Sequence, residues 1–201
     1  VFDNALEKDL KINKTEELKG KKVAVIGGGP SGLTCAAFLS MNGANVTIYE
    51  KQLKLGGITR YGIPDFRLPR EVIDKTVEKI LSLGVEAKCN QELGKDYELE
   101  DIADKYDAVY LSFGANVSSK MNIPGEDLDG VYGGNELLET GIHPDYTGKK
   151  VAVIGGGNVA MDCARTIKRL GAQEVKVIYR RAEEQMPAET KEIHEAKTEG
   201  I

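Results

Sequence analysis

The chain writes nearly the same passage twice. KGKKVAVIGGGPSGLTCAA begins at Lys19 and TGKKVAVIGGGNVAMDCAR at Thr147, so 128 residues separate Gly27 from its counterpart Gly155. Even Cys35 and Cys163 fall in register. Solenoids and propellers repeat every ~20–50 residues. A spacing this long points instead to one nucleotide-binding supersecondary unit used twice, and two copies imply two nucleotide sites. With 201 residues, 41% of them hydrophobic, the chain has length and apolar content for one or two cores.

In each copy a β-branched run, 23–26 and 151–154, leads into three glycines and then a stretch rich in small residues. That order is strand, tight turn, helix. Gly43 and Gly171 end the helices, and second runs follow at 46–49 and 175–179. Each copy therefore predicts a Rossmann-like βαβ unit. The fold class is α/β, with parallel sheets covered on both faces.

Gly27, Gly29 and Gly32 form G-x-G-x-x-G, with Pro30 and Ser31 inside it. The first glycine permits the bend, the second lets a pyrophosphate approach backbone, and the third lets helix and strand pack closely. Phosphate is held by the free N–H groups and dipole of the helix that follows. Glu50 stands 23 residues after Gly27, at the end of the next run and just before Lys51. A carboxylate there accepts hydrogen bonds from ribose hydroxyls, as in NAD or the adenosine half of FAD. The competing reading is a glycine turn that only packs.

The second turn carries Gly155, Gly156 and Gly157, then Asn158, Val159 and, in place of the third glycine, Ala160. Its second run ends in Tyr179-Arg180-Arg181 where the first ends in Tyr49-Glu50-Lys51. The charge has changed sign. Two guanidiniums can bind a 2′-phosphate with charge-assisted bidentate geometry, which favours NADP(H) over NAD(H) at this site; surface decoration is the plain alternative. One FAD-like site and one NADP(H) site describe a flavin-dependent pyridine-nucleotide oxidoreductase, whose cofactors carry the chemistry. No catalytic side chain is assigned. His143 and His194 lie in no motif.

Other classes are disfavoured. Lys and Arg number 27 against 32 Asp and Glu, a net charge of −5, so the cationic surplus needed for nucleic acid is missing. No run of ~18 apolar residues suggests a membrane span. Cys35, Cys89 and Cys163 have neither metal nor disulfide spacing, which fits a reducing, cytoplasmic compartment. Cys35 and Cys163 are expected to be packing residues.

Between the copies, residues 53–69 (LKLGGITRYGIPDFRLP) read as an ordered loop with a function. A helix ending at Gly84, a strand at 85–89, a short helix at 99–103 and a buried strand at 108–113 follow. The turn-dense stretch 122–134 makes a crossover. The organisation expected is an N-terminal extension at 1–18, an FAD-binding domain at 19–130 and an NADP-binding domain at 131–201.

The motifs GGGPSGLTCA, YEKQ, LGGITRYGIPDFRLP, IPGEDLDGVYGG and VIYRRAEEQMPA together resemble the small (beta) subunit of NADPH-dependent glutamate synthase and its FAD- and NADP-binding relatives. The resemblance runs from about Lys19 to the end. It implies that the first turn and Glu50 hold FAD, with Gly57, Ile58 and Arg67 as further contacts and Leu93 as a backbone contact. Likewise Gly156, Gly157, Asn158 and Val159 would take the NADPH pyrophosphate, and Arg180 and Arg181 its 2′-phosphate. Read from the residues alone, the 53–69 loop is a lid or packing loop in which Arg67 suits an anionic cofactor.

Family members also carry an N-terminal iron–sulfur domain and a C-terminal Gly-Asp segment that this sequence does not match. The chain thus reads as a truncated form of the family. An iron–sulfur domain or a large (alpha) subunit is the expected partner, and an open strand edge is expected to invite self-association. Three readings stay open here: an oxidoreductase module, a nucleotide-binding fragment without independent turnover and, disfavoured by the arginines, an NAD-only enzyme.

Overall fold

The computed structural model describes residues 13–201; most of the extension expected at 1–18 lies outside them. Two compact units form. One comprises the described residues through Arg60 with Asp65–Ala115, the other Tyr61–Pro64 with Asn116–Ile201.

The first unit has strands β1 (Lys22–Ile26), β2 (Asn45–Glu50), β3 (Glu86–Cys89) and β4 (Ala108–Leu111). They pair in the order β3-β2-β1-β4, and every pairing is parallel. Parallel neighbours need crossovers, supplied by helices α1 (Pro30–Met41), α3 (Arg70–Leu81) and α4 (Leu99–Ala103); α2 (Ile58–Tyr61) is one turn within the 53–69 loop. Alternation along β1 sends Val23 and Val25 to one face, against Leu33 and Ala36 of α1 and Ile73 and Val77 of α3. Ala24 and Ile26 go to the other, with Tyr49 and Ile102 of α4. Both faces are covered, as the βαβ pattern predicts. The expectation of a buried strand at 108–113 fails. β4 forms, but among the described residues it pairs on one side only, and Tyr110, Leu111 and Phe113 are exposed.

The second unit has α5 (Gly134–Thr140), β5 (Lys150–Ile154), α6 (Asn158–Arg169), β6 (Glu174–Ile178) and α7 (Thr190–Thr198). β5 and β6 form a two-stranded parallel sheet. Cys163, Ala164 and Ile167 of α6 pack on Val175, with Val151, Val153 and Val177 alongside. The opposite face departs from the expected double cover: Ile154 and Ile178, at 56% and 50% exposure, have no covering cluster among the described residues.

The turn-dense stretch belongs to this second unit. Ser118 donates its N–H to the Glu136 carboxylate at 2.9 Å, and the N–H groups of Met121 and Asn122 donate to Glu126 at 2.6 and 2.8 Å. The boundary between compact units therefore falls at Ala115/Asn116, ahead of the one expected at 130/131. No helix of the described residues is long and apolar enough to cross a membrane.

Candidate functional site

The strand order of the first sheet reverses between β1 and β4, and in open α/β sheets ligands bind at the carboxyl edge beside such a reversal. There the chain bends at Gly27, whose φ of +104° disfavours any side chain. Its N–H donates to Tyr49 O at 2.8 Å. A Cβ on Gly27 would strike the Ser112 carbonyl, one on Gly32 the Gly27 carbonyl, and one on Gly28 the side chain of Leu55. Backbone packing demands Gly27 and Gly32, while Gly28 abuts only side-chain atoms. Gly29 differs: with φ of −77°, a Cβ there would meet only Gly57 Cα, at an ordinary 3.7 Å. Contacts among the described residues therefore do not account for glycine at 29.

Glu50, buried at the end of β2, faces this turn. Its Oε2 accepts the Gly28 N–H at 2.7 Å and its Oε1 the Gln52 N–H at 2.8 Å. Each carboxylate oxygen has a second lone pair for a ribose hydroxyl. Burial, with the Glu50 charge adding to it, pushes the Tyr97 phenol up to about 12 and also raises the Cys89 thiol.

The 53–69 loop is stitched onto the same turn. Gly56 N–H donates to Gly28 O at 2.8 Å. Gly57, at φ of +53°, lies so near Gly29 that a Cβ would come within 2.6 Å of Gly29 Cα. Buried Arg60 secures the loop from behind, its Nε donating to Leu55 O and its guanidinium to Asp74 of α3, both at 2.6 Å. Arg60 holds Asp74 below the usual carboxylate range. No sequence signal separates Arg60 from Arg67, which is half-buried further along the loop. Pro30 and Ser31 are exposed at the start of α1, where Ser31 Oγ and Tyr110 OH lie 2.9 Å apart. Lys51 and Ile58 are exposed, and Leu93 packs its side chain on the Tyr49 cluster.

The second turn repeats this geometry. Gly155, at φ of +142°, donates its N–H to Ile178 O at 3.0 Å. A Cβ on Gly157 would have only Pro187 Cγ nearby, at 4.0 Å, so contacts among the described residues do not account for this glycine either. Ala160 replaces the third glycine without closing the turn. Asn158 Oδ1 accepts the Glu189 N–H at 2.9 Å, and Val159 is exposed. Arg180 and Arg181 are exposed just beyond β6, and among the described residues neither forms an ion pair.

Pairing corrects one equivalence. Ile26 pairs with Tyr49, but Ile154 pairs with Ile178. Glu50 therefore corresponds to Tyr179, and Lys51 to Arg180. The offset between copies is 128 at Gly27 and Gly155 and 129 along the paired second strands. The one added residue shows where Gln173 and Glu174 share Lys149 O, at 2.9 and 3.3 Å, while only Asn45 N–H donates to Lys21 O, at 2.8 Å. Tyr49 and Tyr179, 130 apart, fall out of register by one. The Tyr179 ring rests on Gly156, where a Cβ would approach it to 2.6 Å.

Both turns open helices of 12 residues, α1 and α6, with Gly29 and Gly157 as N-caps and no side-chain cap hydrogen bond. Uncapped first-turn N–H groups beside an open glycine fit a pyrophosphate. The donor set suits two dinucleotides. Among the described residues no group of three or more His, Cys, Asp or Glu could hold a metal ion.

Two such cradles, each at the carboxyl end of a parallel strand and each opening a helix, define an α/β protein of the dinucleotide-binding class. Residues 21–200 match the family described as pyridine nucleotide-disulphide oxidoreductase, and the chain belongs to that family. It is 41% identical over 195 residues to the glutamate synthase [NADPH] small chain of Escherichia coli (strain K12), covering 90% of this chain and 41% of that one. It is 44% identical over 194 residues to the NADP(+)-dependent formate dehydrogenase subunit beta of Moorella thermoacetica, covering 93% and 27%. Mycobacterium tuberculosis FprA in complex with NADPH shares the fold at a TM-score of 0.79 and 27% identity, covering 89% of this chain and 47% of that one. The chain thus spans less than half the length of these relatives.

Proposed function

We propose that the first cradle binds FAD and the second NADP(H), and that the chain is the coenzyme-binding part of a flavin-dependent NADPH oxidoreductase. The observation that carries this reading is that no protein atom obstructs a Cβ at Gly29 or Gly157, where the nearest neighbours among the described residues stand at an ordinary 3.7 and 4.0 Å, each beside an uncapped helix. Gly27, Gly32, Pro30 and Ser31 shape the FAD turn, and Glu50 accepts from the ribose. Gly57, Ile58 and Arg67 line the flavin side, with Lys51 and Leu93 at the margin. Gly155, Gly156, Gly157, Asn158, Val159 and Ala160 shape the NADP(H) turn. The side chain of Asn158 is already engaged by Glu189, so Asn158 serves through its backbone N–H. Arg180 and Arg181 take the 2′-phosphate.

When bound, FAD exchanges hydride with the nicotinamide and relays electrons onward. The partner is an iron–sulfur domain or a large (alpha) subunit like that of glutamate synthase, with glutamate biosynthesis as the physiological role. The three free cysteines suit the cytoplasm. The uncovered Ile154 and Ile178 favour a second reading, in which the chain alone binds nucleotides without turnover until a partner covers that face. The test is thermal melting with each ligand. FAD should raise the melting temperature, and NADPH should raise it more than NADH at equal concentration. No shift with either FAD or NADPH overturns the proposal.

A further inference from the structure

The loop that carries the two arginines is closed onto the second cradle at both ends, and both closures meet at Gly156. At one end the Tyr179 ring rests on Gly156. At the other, Ala188 N–H donates to Gly156 O at 3.0 Å. Across the loop, Tyr179 OH donates to Gln185 O at 3.2 Å. Gln185 N–H returns to Ala182 O at 3.0 Å. Of the two acids in this loop, Glu183 is taken by Lys197 at 2.6 Å and Glu184 is exposed. Arg180 and Arg181 are therefore borne on a short closed segment beside the glycine turn, with one of the loop's two carboxylates, Glu183, held by Lys197.

The register slip gives Tyr179 a second role. In the first cradle the corresponding residue, Glu50, places a carboxylate on the Gly28 N–H at 2.7 Å. In the second, that place beside Gly156 holds an aromatic ring. An acid here would accept from a free ribose 2′-hydroxyl and would repel a 2′-phosphate. The ring brings no carboxylate to the hydroxyl, its phenol being turned to Gln185 O, and leaves the phosphate to the guanidiniums.

We propose that Tyr179 is a positioning and specificity-determining residue of the second cradle: it excludes a ribose-binding carboxylate and holds the Arg180–Arg181 loop against Gly156. This rests on the NADP(H) reading of that cradle and names the residue that makes the reading selective. It also assigns the preference to register, since strand pairing sets Tyr179, the residue after Ile178, in the place that Glu50 takes after Tyr49.

The experiment measures dissociation constants for NADPH and NADH by titration calorimetry on the full chain, with circular dichroism as the check on folding. Wild type should bind NADPH more tightly. Tyr179→Phe, which keeps the ring and removes one hydrogen bond, should reduce the NADPH-over-NADH ratio about fivefold with NADH affinity unchanged. Tyr179→Glu, which restores the first cradle's acid, should reduce it by about a hundredfold and tighten NADH. A loss of stability alone would weaken both nucleotides together. Folded variants that keep the wild-type ratio overturn the role of Tyr179 and leave the coenzyme assignment standing. A wild type that binds NADPH and NADH equally overturns the assignment itself.

Discussion

Gly29 and Gly32 sit in one motif and answer to different forces. A Cβ on Gly32 collides with the Gly27 carbonyl and also comes within 2.8 Å of Ser112 Oγ. Gly32→Ala should therefore cost about 3 kcal/mol of folding stability, read as a lower denaturant midpoint. Gly29→Ala meets no such obstacle at φ of −77°. It should leave the midpoint of the ligand-free protein within about 1 kcal/mol while weakening FAD at least about tenfold. Equal effects of the two substitutions on stability would contradict the division between packing glycines and a ligand-facing one. The 2′-phosphate assignment is tested at the same scale. Arg180→Glu or Arg181→Glu should weaken NADPH by about a hundredfold, as expected for a charge-assisted pair turned repulsive, and NADH far less. The cradle glycines, Glu50 and the arginine pair were legible because motif spacing fixes their place. Arg60, Ser112 and the true place of Tyr179 were not. The first two act across 14 and 85 residues of chain, on Asp74 and Gly27, and the last depends on a one-residue slip that only strand pairing exposes.

At the scale of elements, the βαβ pattern predicts β1, α1, β2, β5 and α6 because the glycine turns fix where each apolar strand run ends and each helix begins. The short helix at Leu99–Ala103 forms as the sequence predicts. It does not reveal α5, whose seven residues lie among turn formers and carry no buried side chain. Nor does it reveal how α7 is held to α6. Arg165, 4% exposed, ion-pairs with Glu192, Glu195 and Glu199 at 3.0, 2.7 and 2.9 Å, and Arg169 joins Glu199 at 2.7 Å. A charge repeat on a polar helix reads as a solvated face, so this clamp is invisible before the fold is known. Arg169 and Arg165 hold the Glu199 carboxyl below the usual range. A carboxyl depressed in the folded state contributes stability above its unfolded pKa and loses it as pH falls through the folded one. The melting-temperature difference between wild type and Glu199→Gln should therefore be largest at neutral pH. It should shrink as pH drops from about 5 toward 3. A difference constant across that window would mean that the carboxylate charge has no part in the clamp.

At the scale of the molecule, the duplication predicts two autonomous binding units, and each unit closes a core of its own. Val25 and Ile48 are fully buried in the first, and Ala164 is fully buried in the second. The backbone contacts that surround each cradle are likewise separate. Gly28, Gly56 and Tyr49 serve the first, and Gly156, Ile178 and Ala188 the second. A ligand that binds only the native state stabilises it by RT ln(1 + [L]/Kd), about 2.7 kcal/mol at a hundredfold excess over Kd. Local opening of a cradle is suppressed by its own ligand in the same way. Hydrogen exchange should accordingly read the two coenzymes in different places. FAD should slow the amides of Gly28 and Gly56, and NADPH those of Gly155 and Ala188, by up to about a hundredfold at that excess. Each ligand should leave the other cradle's amides close to their ligand-free rates. Protection of both cradles by NADPH alone would show that one nucleotide class serves both turns, and the acidic and cationic ends of the duplication would then not select unlike coenzymes.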